Sequence, residues 1–147
     1  MSPKTRLRII TPERQIFDRE VDAVSIRTPT GGRGILPGHA PMVCTLVDST
    51  VDIRIDDIVV KAAVMSGFAE ISQKLVVIVS DVAEWPDEID EERAQDALER
   101  AQRKIKSGTG IDAVDAAKRD LHRAKIRLEV SKYKGQAEAA KKATDKK

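Results

Sequence analysis

The chain has 147 residues, of which 41% are hydrophobic, 34% charged and 3% aromatic, with a net charge of +2. Mixed charge of both signs over that apolar content argues for a folded protein and against a disordered tail or a dedicated nucleic-acid binder, and so few rings weaken any reading that needs a base-stacking platform. The core must come from Val, Ile, Leu and Ala, and the length suits one or two small domains.

The N-terminus, Met1-Ser2-Pro3-Lys4-Thr5-Arg6, lacks an apolar signal core. No stretch approaches the ~20 apolar residues of a membrane span, so any membrane contact is expected through a partner. Val21, Ala23 and Ser25 alternate with Asp22, Val24 and Ile26, a strand pattern. Gly31-Gly32-Arg33-Gly34 lies between strand patterns and opens no helix, which makes it a hairpin turn rather than a phosphate loop. In Gly34-Ile35-Leu36-Pro37-Gly38-His39-Ala40-Pro41-Met42, Pro37-Gly38 suits the centre of a type II turn and Pro41 bars a central strand. A rigid surface loop is expected there, or simply the closure of a sandwich edge. Cys44, the single cysteine, cannot form an internal disulfide; it reads as a buried, inert thiol in a reducing compartment.

Val51, Ile53 and Ile55 alternate with polar residues as a half-buried strand, and Leu75–Val79 is a continuous apolar run expected to be buried on both faces. Many short strands with frequent turns, such as Thr28-Pro29-Thr30-Gly31 and Ser66-Gly67, point to a sandwich or barrel.

The period changes once, near Trp85-Pro86. Ala94, Ala97, Leu98, Ala101 and Ile105, then Val114, Ala117, Leu121, Ala124 and Leu128, recur at spacings of three and four. Ser107-Gly108-Thr109-Gly110 separates them, with Asp112 as the expected cap of the second helix. The result is an antiparallel hairpin, roughly 88–106 and 112–134. Its alanine-rich seam buries little area per residue, so the hairpin is expected to be weakly held and able to detach or extend; an ordinary stable hairpin fits the same periodicity. The domains are therefore a sandwich over 1–86, a hairpin over 87–134 and a flexible basic tail over 135–147. Net charge is −1 over 1–86 and +3 beyond, a small excess that a solvated face also explains. No catalytic constellation is visible: His39 and His122 lie in different halves, and neither has metal-ligand spacing around it.

The segment Gly34-Ile35-Leu36-Pro37-Gly38-His39-Ala40-Pro41 resembles the hallmark of the ε subunit of bacterial and plastid ATP synthases. Thr11-Pro12-Glu13-Arg14 with Phe17, then Ser66-Gly67-Phe68-Ala69-Glu70-Ile71, then Val79-Ser80-Asp81-Val82-Ala83-Glu84 resemble other family segments in the family's order. Ser66 stands where the family has a glycine. The resemblance reaches about residue 134. It implies an α+β fold, a ten-stranded antiparallel β-sandwich followed by a two-helix hairpin, and a non-enzymatic rotor subunit that couples ion-driven rotation to ATP synthesis. Partners would be the γ subunit, the c-ring and the α/β catalytic head. Gly31, Gly32 and Arg33 would meet the c-ring, where the family often carries an acidic residue. Pro37, Gly38 and His39 would face γ, although His39 is equally a turn-stabilising hydrogen-bonder. The location implied is the cytoplasmic face of a bacterial inner membrane, or the stromal face of a thylakoid.

Ile89-Asp90-Glu91-Glu92-Arg93-Ala94 resembles the Ile/Leu-Asp-x-x-Arg-Ala motif of ε subunits that bind ATP, and Glu84, Arg100, Arg123 and Arg127 match further family positions. No cofactor is required; ATP is expected as a regulatory ligand. Arginine forks suit phosphates, and Arg93 and Arg100, two turns apart, share a helix face, as do Arg123 and Arg127. Asp90 as a plain helix cap and the arginines as a solvated salt-bridge face explain the same residues. The implied mechanism is a brake: folded down the hairpin leaves the motor free, extended it opposes hydrolysis, and ATP clips it down. A purely structural coupler, a free nucleotide-binding regulator and a nucleic-acid module are the rivals.

Overall fold

A computed structural model describes residues 3–108 and 110–136. Ten strands run in chain order: β1 Thr5–Ile10, β2 Gln15–Val21, β3 Ala23–Thr28, β4 Gly31–Ile35, β5 Met42–Thr45, β6 Ser49–Ile55, β7 Ile58–Met65, β8 Phe68–Ile71, β9 Leu75–Val79 and β10 Val82–Glu84. A single 3-10 turn, Pro86–Glu88, leads into α1 Glu91–Ser107 and α2 Ile111–Ser131. The strands form two five-stranded sheets, ordered β2-β1-β9-β8-β5 and β10-β7-β6-β3-β4. This is the expected sandwich followed by the expected hairpin. Every pairing is antiparallel except β1 with β9, which are distant in sequence and can run parallel because the intervening chain supplies the crossover.

Alternation builds the core. Leu7, Ile9, Val76, Ile78, Ala69 and Ile71 of one sheet meet Val24, Ile26, Val51, Ile53, Val60, Ala62 and Val64 of the other. Phe17 and Trp85 close one end, with ring centroids 5.6 Å apart. Cys44 is half-buried against this core on edge strand β5, less enclosed than expected.

Four local expectations need correction. The alternation from Val21 to Ile26 is not one strand: the chain changes sheets at Asp22, which lets both Val21 and Val24 point inward. Gly31–Gly34 is not a turn but the edge strand β4; the turn is Pro29-Thr30, where the Thr28 hydroxyl donates to the Gly31 carbonyl at 3.0 Å. Leu75–Val79 is fully buried only at Val76 and Ile78. The stretch buried on both faces is Ala62–Met65 of β7, because α2 covers its outer side. Finally, α2 starts at Ile111 after Gly110, so Asp112 sits in the first turn and caps nothing.

The Pro37-Gly38 turn forms as the residues dictate. Gly38 has φ +82°, and the His39 amide donates to the Leu36 carbonyl at 3.2 Å. The Gly38 amide also donates to Gln73 at 3.0 Å, tying the loop to the β8–β9 turn. His39 Nδ1 lies 2.7 Å from the Ala40 carbonyl.

Two contact sets hold the hairpin. Ala94, Ala101, Ala117 and Ala124 are buried between the helices. Ile126 and Val130, four apart on α2, pack with Ile89 on Ala63, Met65 and Val82 of the outer sheet face. Tyr133, beyond α2, lies under the Lys61 ammonium, 5.1 Å from the ring centroid. Of the basic tail expected over 135–147, residues 137–147 lie outside the described residues. No described helix is long and apolar enough to cross a membrane.

Candidate functional site

The approach to the site is rigid. Trp85 is buried and its backbone amide donates to Glu88 Oε1 at 3.1 Å, while Glu88 also pairs with Arg14. Pro86 and Ile89 are buried as well. At the next residue, the Asp90 carboxylate accepts from the Arg93 amide at 3.1 Å and caps α1. The cap reading of Asp90 therefore holds.

Small seam residues leave a gap between the helices. The result is a cavity of about 530 Å3, bounded by Ala94, Ala97, Ala101 and Ala124 and opening among charged side chains. That volume suits a mid-sized ligand. All eight residues of the candidate ATP set, Glu84, Ile89, Asp90, Arg93, Ala94, Arg100, Arg123 and Arg127, line this one space. Glu88, Lys104 and Asp120 join them.

The cations fall into two groups. Arg127 donates through Nε to Glu84 Oε1 at 2.7 Å, and Arg123 through Nε to Asp48 Oδ2, also at 2.7 Å. Each pair ties α2 to the sandwich and leaves the rest of the guanidinium fork for other acceptors. The second group is Arg93, Arg100 and Lys104 on α1, which are exposed and have no carboxylate within 4.0 Å among the described residues. Three carboxylates, Glu84, Glu88 and Asp90, stand at the sandwich end, and the unpaired cations run from Arg93 toward the hairpin tip. Such a polarised space suits a ligand with a hydrogen-bond-donating head and an anionic tail.

Sequence reasoning missed Asp48, the anchor for α2. Its carboxylate takes Arg123, and its carbonyl lies 2.8 Å from His122 Nε2. Nothing in its own segment marks it, since its partners are more than 70 residues away. Ile126 and Val130 were also missed, although their spacing off the alanine seam was a readable second apolar stripe. Lys104 lay on the Arg93–Arg100 face and was overlooked.

The other candidate residues lie elsewhere. Gly31, Gly32 and Arg33 belong to edge strand β4, with Gly32 and Arg33 exposed. Pro37, Gly38 and His39 sit in the turn between β4 and β5, flanked by exposed Leu36 and Val43. Neither group meets the cavity.

The chain is similar to known proteins along its described length. Residues 4–86 match the family model of the ATP synthase delta/epsilon chain β-sandwich domain, and 87–132 that of its long α-helix domain. An ATP synthase epsilon chain of Alkaliphilus metalliredigens is 37% identical over 134 residues, covering 91% of this chain and all of the relative. That of Desulforamulus reducens is 39% identical over 132 residues, covering 89% and 99%. A chain in the Euglena gracilis mitochondrial ATP synthase structure (OSCP, F1 and c-ring) superposes with a TM-score of 0.76 at 26% identity, covering 86% of this chain and 79% of its own.

Proposed function

This chain belongs to the ATP synthase delta/epsilon chain family, with epsilon chains as its relatives, and we propose that it works as a central-stalk coupler whose hairpin is an ATP-held brake. As a rotor subunit it carries no catalysis itself. It joins γ to the c-ring, peripheral to the membrane on its cytoplasmic face, and transmits ion-driven rotation to the α/β head. The apolar Leu36 and Val43 beside the rigid Pro37-Gly38-His39 turn support a protein contact there, with γ as the partner. The exposed β4 edge with Gly31, Gly32 and Arg33 is the c-ring contact in this reading. Arg33 gives that contact a basic character.

One observation carries the brake. The cavity is bounded by both helices and by Glu84 at the end of the last strand. A ligand filling it touches hairpin and sandwich together, and lifting the hairpin dismantles its site. Such a ligand binds one state only, so it shifts the hairpin toward the docked form by its full binding free energy. ATP fits by chemistry: carboxylates at the sandwich end accept from the purine amino group and ribose, and arginines bind the phosphates. The docked state itself rests on a small cluster of six residues, two partly exposed ion pairs, the His122–Asp48 contact and Tyr133 under Lys61, a small contact set that keeps the cost of release low. When ATP falls, the basic helices rise along γ and oppose hydrolysis.

Proximity in the assembled enzyme tests this. With Cys44 changed to Ser, cysteines introduced at Asp48 and His122 should form a disulfide readily at high ATP and slowly without nucleotide. Equal rates in both conditions would leave a structural coupler without a nucleotide clip.

A further inference from the structure

We propose that the turn after α2, residues 132–136, is a strap across the joint between sandwich and hairpin, anchored by Tyr133, and that it sets how readily the hairpin leaves the sandwich. This rests on the reading of the hairpin as a releasable unit and adds to it the contact that holds its far end.

The joint lies at Ile89-Asp90. The turn before it stays with the sandwich, because Trp85 meets Phe17 and Glu88 pairs with Arg14. The helix after it begins at Glu91. Between these two helical pieces both residues are extended, Ile89 with φ −91° and ψ 124°, Asp90 with φ −85° and ψ 105°. A pivot there carries both helices away together and breaks no helical turn.

The strap closes over that joint. α2 ends at Ser131, and the chain bends back through Gly135, whose φ of +91° suits glycine. Tyr133 is the one Phe, Trp or Tyr after Trp85. Its ring lies under the Lys61 ammonium of β7, 5.1 Å from the centroid. The Lys61 side chain is only 15% exposed, and Asp52 Oδ1 fixes its ammonium at 3.0 Å. A cation so withdrawn from water gains more from a ring face than an exposed one.

Two further contacts flank the joint. The Gly135 amide donates to Asp87 Oδ1 at 3.4 Å on the sandwich side. Lys134 Nζ stands 3.9 Å from Glu91 Oε1 on the hairpin side. The Lys134 pair travels with the hairpin and does not resist the pivot, and the Gly135 bond is long and exposed. Tyr133 on Lys61 is therefore the part of the strap that opposes release. The helix-domain match to the family ends at residue 132, one residue before this ring.

Amide hydrogen exchange in the full chain tests this, with wild type, Tyr133→Ala, Tyr133→Phe, Lys61→Gln and the double variant Tyr133→Ala/Lys61→Gln. Tyr133 is half-buried and lies beyond α2, so its loss leaves the seam and both sheets in place. Tyr133→Ala should speed exchange in α2 about tenfold, and Lys61→Gln about threefold, with β1 and β9 unchanged. Tyr133→Phe keeps the ring face and should exchange like wild type. In the double variant the two effects should combine to less than their product, because each change removes the same contact. Unchanged α2 exchange in Tyr133→Ala, or equal acceleration in Tyr133→Phe, would overturn the strap and leave the releasable hairpin standing. If α2 exchanges only together with β1 and β9 in every chain, the hairpin does not open by itself, and both readings fail.

Discussion

Arg123 on the second helix and Asp48 before β6, 75 residues apart in sequence, meet at 2.7 Å through the arginine Nε. The same arginine lines the interhelical cavity. It therefore belongs both to the tie between α2 and the sandwich and to the cavity wall.

Asp48→Asn should loosen the latch without unfolding the sandwich. The pair is partly solvent-screened, with 40% of the arginine side chain exposed, so its loss should cost about 0.5–1 kcal/mol of docking. Amide exchange in α2 should speed up several-fold while exchange in β1 and β9 stays unchanged. Equal acceleration in both would make the hairpin and sandwich one cooperative unit.

Ile126→Ala should act more strongly on the same equilibrium. Ile126 is 5% exposed and packs in the small cluster between α2 and β7. Truncation there should cost about 2–3 kcal/mol of docking. In the assembled enzyme it should favour the released hairpin and deepen inhibition at a given ATP level.

The Ser66-Gly67 corner gives two opposite stability effects. A Cβ on Gly67 would lie 2.0 Å from the Val79 carbonyl oxygen, and its φ is +112°. Gly67→Ala should cost at least about 3 kcal/mol and lower the melting temperature sharply. Ser66 has φ +52°, in the left-handed region that favours glycine. Ser66→Gly should relieve strain and, after the entropy cost in the unfolded chain, stabilise by about 0.5 kcal/mol. Thermal melts of both variants check the pair.

Acid should weaken the ion pairs that Asp18 of β2 and Asp22 at the β2–β3 junction make with Arg6, Arg8 and Lys4. The Lys4 ammonium holds the Asp22 carboxyl below its ordinary 3.8, helped by the Asp56 amide, and Arg6 does the same for Asp18 with Arg8. A carboxyl depressed in the folded state contributes stability that is present above about pH 3.8 and is lost as pH falls through the lower folded value. Stability should therefore decline below pH 4, and Asp22→Asn should flatten that decline. A melting temperature with identical acid dependence in wild type and variant would contradict it.

The sandwich-then-hairpin layout was legible because each half has one dominant period, two before Trp85 and three-to-four after Ala94. The Leu36–His39 turn was legible because Pro37 and Gly38 each demand one conformation. Chain reversals were less so. Asp22 looks like one residue of a continuous strand, and only the packing of both Val21 and Val24 inward shows that the chain changes sheets there. Gly31–Gly34 looks like a turn because glycine is permissive, yet on an edge strand that permissiveness costs little. Of the candidate site, residues near one another on α1 could be grouped from spacing. Asp48 could not, since a latch between distant segments leaves no local pattern. Nor did alanine spacing show that the seam leaves a cavity.

If the hairpin is an ATP-held brake, it opposes hydrolysis when released and ATP relieves that opposition. The direct measurement is ATP hydrolysis by an αβγ complex lacking its own epsilon chain, with added full chain or with a chain ending after Glu88. That end point keeps Trp85 against Phe17 and the Glu88–Arg14 pair. The full chain should inhibit at low ATP and release as ATP rises, while the shortened chain should bind γ without inhibiting. Equal rates with both chains at every ATP level, with both bound to γ, would contradict it and leave a coupler alone.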